Sequence, residues 1–244
     1  MTGAIFDEQA QWLRRRRAER LGGEHFLHEH AFDDILERLA LVRRTFDKAL
    51  VVGHLDERLR ERVGSIDVIE AAGVMQAPPH SYDLCITVGA LDAVNDLPQV
   101  LLAIRFALRP ESLLLGAVLG GDSLPTLRAA MRAADERMGA ATPHVHPALA
   151  PASLAGLLQE AGFTMPVVDV DRVLVSYANL AGLVKDLRRM GATNTLAARS
   201  RKPLSRAATA AAAEHFASRA QEGRVTERFE LLHFAAWTPP SNEG

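Results

Sequence analysis

Ser81-Tyr82-Asp83-Leu84-Cys85-Ile86-Thr87-Val88-Gly89 is the stretch whose reading decides the fold. It is mostly apolar, rich in β-branched residues, too short for a helix and stopped by Gly89, which is the pattern of a buried strand. Asn95 or Asp96 then stands where a helix N-cap belongs, and Pro98 falls in the first turn, where its missing N–H costs nothing. Leu97, Val100, Leu101, Ile104 and Leu108 recur at helical spacing and make one apolar stripe. Arg109-Pro110 ends that helix, and Leu113-Leu114-Leu115-Gly116-Ala117-Val118-Leu119 is a second fully apolar strand. Strand, amphipathic helix and strand, with no alternating polar face, form a βαβ unit in a parallel sheet covered on both sides.

Upstream, residues 5–21 read as a polar helix carrying Arg14-Arg15-Arg16-Arg17, a run read as a solvated face rather than an anion or RNA patch. A second helix is expected over 31–45. Lys48-Ala49-Leu50-Val51-Val52 is the next strand, followed by a helix with Leu55, Leu59 and Val63 on one side, and then by a strand over Ser65–Glu70. Residues 71–80 read as a loop. Downstream, helices are expected over Leu124–Met138, around Leu154–Ala161, over Leu180–Met190 and over 205–220. Strands are expected over Met165–Val175 and Val225–Trp237. Strands and helices alternate through most of the chain, so the architecture is an open, doubly wound, mostly parallel α/β sheet. The organisation expected is a helical N-terminal extension (1–46), an α/β domain (47–238) and a short tail (239–244).

At 244 residues the chain is long enough to bury a core, and its 48% hydrophobic and 24% charged residues are ordinary for a globular protein. A formal charge of -2 gives no reason to expect nucleic acid as a partner. The one cysteine, Cys85, lies in a core strand, so no intramolecular disulfide forms. No apolar run approaches the ~20 residues of a membrane span, and with no signal-like segment a cytoplasmic location is the expectation. His144-Val145-His146, and His25, His28 and His30 with their neighbouring glutamates, are read as polar segments rather than metal ligands.

The order of elements and several phrases resemble class I S-adenosylmethionine (SAM) dependent methyltransferases, a Rossmann-like fold whose last strand is antiparallel. The phrases are Tyr82-Asp83-Leu84, Val94-Asn95-Asp96-Leu97-Pro98, Gly120-Gly121-Asp122-Ser123-Leu124, Ala161-Gly162-Phe163 and Asp186-Leu187-Arg188-Arg189-Met190-Gly191. They look most like the methyltransferase-type assembly factors of mitochondrial respiratory complex I and their alphaproteobacterial relatives. The malonyl-carrier-protein methyltransferases of biotin synthesis are more distantly similar. The resemblance implies SAM as cofactor, or a non-catalytic or arginine-modifying role with a complex I subunit as partner. It implies a cofactor cleft at Gly53, His54, Glu70, Val88 and Gly89, and substrate contacts at Asn95, Asp96, Gly121 and Asp122. No catalytic residue is assigned.

The cofactor motif departs from that family. Its acid-then-G-x-G-x-G pattern falls on Val51, Gly53, Leu55 and Glu57, so only the first glycine is kept. A Glu57 carboxylate ~4 Å from the cofactor's own would repel it by about 4 kcal/mol at an effective dielectric of 20. Glu70 is placed for the ribose hydroxyls, yet Ser81 follows too soon for both a crossover helix and an edge strand to fit between them. The expectation is a methyltransferase fold lacking one edge strand, with a degenerate cofactor motif.

Overall fold

A computed structural model describes residues 3–22 and 26–241. Gly23, Glu24, His25 and the last three residues of the tail lie outside them. In chain order come α1 (Glu8–Arg20), α2 (Phe26–Leu41), β1 (Phe46–Gly53), β2 (Val63–Ile69) and β3 (Tyr82–Val88). Then follow α3 (Leu97–Ala107), β4 (Leu108–Leu119), α4 (Pro125–Met138), α5 (Pro151–Glu160) and β5 (Thr164–Tyr177). The series closes with α6 (Leu180–Arg189), α7 (Arg206–Ala217) and β6 (Val225–Trp237).

The strands form one sheet in the order β2-β1-β3-β4-β6-β5. β1 is parallel to β2 and β3, and β3 to β4, while β6 runs antiparallel to β4. This is the class I methyltransferase arrangement, with the late strand reversed. Among the described residues no strand intervenes between β2 and β3 along the chain, so β2 is the sheet's edge.

The opening βαβ unit forms as its residues dictate. Every residue of β3 is buried. The Asp96 carboxylate accepts the Gln99 N–H at 3.0 Å and caps α3. Asp83, the one acid in β3, is buried because its carboxylate accepts two backbone N–H groups at the start of β1, from Asp47 (2.8 Å) and Lys48 (3.0 Å).

Three expectations need correction. The helix with Leu55, Leu59 and Val63 on one side is a single 3-10 turn, Glu57–Glu61, capped by Asp56 through the Arg58 N–H at 2.9 Å. Val63 cannot belong to it, because it already pairs with Phe46 at the start of β2. Gly64 keeps that pairing close: a Cβ there would lie 2.8 Å from the Asp47 carbonyl oxygen. The loop at 71–80 begins with a second 3-10 turn, Ala71–Gln76, packed against α3 and β1. The helix expected over 31–45 starts earlier, at Phe26, because Leu27, Ala31, Phe32, Ile35 and Leu39 are its buried stripe.

The chain divides into two compact units. The first joins Phe26–Gly120, Leu149–Asp171 and Leu231–Gly244 and holds the apolar core built on β1, β3, β4, α3 and α5. The second joins Met1–His25, Gly121–Ala148 and Arg172–Glu230. There α7 lies against α4 and α6, and α6 against α1. Ala208, Ala212 and Phe216 of α7, and Leu127, Ala130 and Ala134 of α4, are buried, and the four alanines let the helices approach closely.

Candidate functional site

Open α/β sheets bind ligands beyond the carboxyl ends of their strands. In the first unit those ends carry Gly53, Glu70 and Gly89. Gly53 pairs with Val88 in register, and the His54 N–H donates to the Val88 carbonyl at 3.0 Å. Val88 is buried and its carbonyl oxygen is spent on that bond. Gly53 has φ +98°, and a Cβ there would lie 2.4 Å from the Val88 oxygen and 2.7 Å from the Ala90 Cβ. Glycine is needed here so that two strands of the protein itself can close on one another.

Gly89 tells the same story with a different neighbour. Its φ is +67°, and a Cβ would meet the His28 imidazole, with Nε2 at 2.5 Å. The His28 ring is tilted against His54 at a centroid distance of 5.2 Å, and Phe32 meets His54 edge-on at 6.0 Å. α2 therefore lays an aromatic and imidazole cluster over the β1 and β3 ends. Of the G-x-G-x-G cradle that the methionine part of SAM requires, the chain keeps the first glycine alone, and a Cβ there or at Gly89 would already meet the protein's own atoms. Glu70 is exposed directly after β2, where the turn Ala71–Gln76 begins.

Glu57 does not bring its charge inward. Its side chain is 74% exposed and pairs with Arg60, so the repulsion anticipated from the sequence does not arise. Beside it Arg58 is gripped by two carboxylates. Its guanidinium donates to Asp33 at 2.8 Å and to Asp56 at 2.6 and 3.0 Å, and this pairing holds the Asp56 carboxyl below the usual range.

Of the substrate candidates, Asp96 is the α3 cap and Asn95 is half-buried just before it. Gly121 and Asp122 belong to the second unit and are exposed. Neither Asp122 nor Ser123 caps α4. That helix is closed instead by Glu227 of β6, fully buried, whose carboxylate accepts the Thr126 N–H at 3.2 Å and the Leu127 N–H at 2.8 Å. Ser123 exchanges hydrogen bonds with the Glu230 backbone at 2.9 and 3.1 Å. The Asp122 carbonyl accepts from Arg228 Nε at 3.2 Å.

A relative among curated proteins now bears on this geometry. The mitochondrial arginine-hydroxylase NDUFAF5 of Danio rerio is 31% identical over 250 residues, covering 89% of this chain and 77% of that protein. The chain belongs to the NDUFAF5 family. The Mus musculus member is 30% identical over 242 residues, covering 87% of this chain and 70% of the mouse protein. The malonyl-[acyl-carrier protein] O-methyltransferase of Xylella fastidiosa is 36% identical over a shorter span, 66% of this chain and 53% of that enzyme. A Bacillus halodurans structure described as a methyltransferase superposes with a TM-score of 0.55 over 84% of this chain and 98% of its own, at 12% identity, a likeness of fold alone. No family model matches the chain. Among the described residues no helix is long and apolar enough to cross a membrane.

Sequence reasoning missed one polar cluster of this family member, in the first unit. His233 of β6 is 2% exposed, with Nδ1 3.0 Å from Asp34 and Nε2 3.8 Å from Asp171. Asp34 also pairs with Arg38, which reaches Asp169 at 2.7 Å, and Asp171 pairs with His30 at 2.6 Å. Burial pushes the His233 pKa below the ordinary imidazole value, against the pull of Asp34 and Asp171. The signal was faint: an alternate Asp169-x-Asp171 in one strand, and His30, Asp34 and Arg38 at i, i+4, i+8 on a helix. Among the described residues no group of histidine, cysteine or acidic side chains is arranged to hold a metal ion. His144 is bonded to Asp135 at 2.8 Å, whereas His146 accepts the Thr195 N–H at 2.9 Å.

Proposed function

We propose that this protein is a methyltransferase-fold assembly factor that engages an arginine side chain of a protein partner, a respiratory complex I subunit, at the carboxyl edge of β1. The observation that carries the reading is the grip on Arg58. Two carboxylates, Asp33 and Asp56, hold a guanidinium through charge-assisted bonds of 2.6 to 3.0 Å beside the His28–His54 pair. That geometry is specific to a planar, forked cation and suits a lysine poorly. The chain's own Arg58 stands in for the arginine of a partner, which would take its place on the same carboxylates. The arginine-hydroxylase name of the Danio rerio relative points to the same side chain. Cys85 is fully buried in β3, so the reading needs no disulfide and agrees with a cytoplasmic protein.

The test is binding of an arginine-containing peptide to wild type and to Arg58→Ala, with the citrulline peptide as control. Removing the competing guanidinium is expected to tighten arginine-peptide binding by about tenfold, a change of about 1.4 kcal/mol. Equal binding of the citrulline peptide, or no change in the variant, overturns the reading.

Glu70 favours a second reading, SAM-dependent methyl transfer. There Gly53, His54, Glu70, Val88 and Gly89 would face the cofactor, and Asn95, Asp96, Gly121 and Asp122 the methyl acceptor. Calorimetry with SAM and S-adenosylhomocysteine separates the two. Micromolar heat supports the enzyme; no heat at millimolar ligand, together with peptide binding, supports the assembly factor.

A further inference from the structure

The second unit holds a recess that neither reading uses. Arg14 and Arg17 of α1, Arg188 of α6, and Arg199 and Arg201 of the following segment converge on a space of about 370 Å³. Among the described residues one carboxylate answers them: Asp7 pairs with Arg199 at 2.9 Å and approaches Arg201 at 3.9 Å. Arg14, Arg17 and Arg188 make no ion pair among the described residues, and Arg14 Nε is buried without a hydrogen-bond partner. The Arg14 pKa is lowered, first by burial and then by the charges of Arg17, Arg199 and Arg188. Cations crowded in this way cost free energy unless an anion joins them.

The recess is built rather than incidental. Asp7 N–H donates to the Thr195 carbonyl and Ala197 N–H to the Ile5 carbonyl, both at 2.8 Å, which ties the start of the chain to the segment after α6. Arg199 is fixed by the Leu196 carbonyl at 2.8 Å as well as by Asp7, and its side chain is 15% exposed. The charge is gathered into one place instead of spread along α1. Arg16 is turned onto the Trp12 ring at 4.8 Å, and Arg20 bonds back to the Arg16 carbonyl at 3.2 Å. An extended nucleic acid would call for a stripe of charge and a basic protein; this chain carries a formal charge of -2. The volume exceeds what one phosphate fills and lies at the lower end of small-ligand sites. Several forked guanidiniums around one centre match the oxygens of a multiply charged phosphate.

We propose that this recess binds a di- or triphosphate group through Arg14, Arg17, Arg188, Arg199 and Arg201. The proposal is independent of the arginine-binding reading and concerns other residues.

Calorimetry and thermal melting of the full chain with inorganic pyrophosphate, ADP and ATP test it, against sodium chloride at matched ionic strength. Pyrophosphate is expected to bind with a Kd below about 1 mM at low salt and to raise Tm. Tighter binding of the nucleotides would mean that the recess also takes the nucleoside. The double variant Arg14→Gln/Arg188→Gln is expected to weaken binding by at least about tenfold while melting no lower than wild type without ligand, because it relieves like-charge crowding. Arg16→Gln removes the same kind of charge outside the recess and is expected to leave affinity within about twofold. No binding at about 10 mM pyrophosphate in low salt, an unweakened double variant, or an equal loss in Arg16→Gln overturns the proposal.

Discussion

The carboxyl edge around Gly53 and the arginine recess have been filled in opposite ways. At the edge, Val88, Ala90 and His28 occupy the space that the missing Cβ atoms of Gly53 and Gly89 leave open, and the loose charges there are paired within the chain. In the recess, among the described residues, three guanidiniums have no carboxylate partner and the space between them stays open. A motif inherited with a fold can thus survive for internal packing, whereas a charge site can arise from residues that share no motif at all.

Gly53→Ala gives the largest expected effect and the most direct way to break this comparison. If the glycine serves packing, the variant loses about 2–4 kcal/mol in urea unfolding with no ligand present, from the positive φ and the collision with the Val88 carbonyl. Unchanged stability together with altered ligand binding would return Gly53 to a cofactor role. Asp83→Ala asks whether the strand beneath the edge is as tightly tied. It strands the Asp47 and Lys48 N–H groups and is expected to cost about 2–3 kcal/mol by the same measurement.

Acidification sharpens the comparison, because burial lowers the pKa of His233 in the first unit and of His146 in the second. The unfolded chain binds each proton more readily than the folded one. The stability these histidines contribute is complete above the unfolded value of about 6.5 and is lost as pH falls through the lower folded values. Urea midpoints are therefore expected to drop between pH 7.5 and 5.5, and less so in His146→Gln, whose wild-type ring must give up the Thr195 N–H on protonation. Glu57→Gln is the smallest effect. Because the side chain is exposed and paired with Arg60, neither the unfolding midpoint nor SAM affinity is expected to move outside measurement scatter.

Much of the sheet was legible because its signals are local. The β3 run, the Asp96 cap with Pro98 behind it, and Gly162 at φ +84° after α5 each declare themselves within a few residues. The turn after β1 misled because Leu55, Leu59 and Val63 have helical spacing, while a strand pairing decided Val63. The site was less legible for a related reason. Glu227 meets the Leu127 N–H across 100 residues of chain, and Arg14 meets Arg199 from the far side of the second unit's sequence. Such contacts leave no period to read. A run of four arginines showed charge, but not which members turn inward.

The place of β6 has a consequence for how the molecule is made. It is synthesised after every other strand, yet it occupies an interior slot between β4 and β5. Until its 13 residues emerge, β4 has a free apolar margin and α4 has no carboxylate over its first turn. A nascent or shortened chain ending before Val225 therefore presents an open lane to any passing strand, which makes it a natural client for a chaperone and a poor candidate for expression on its own.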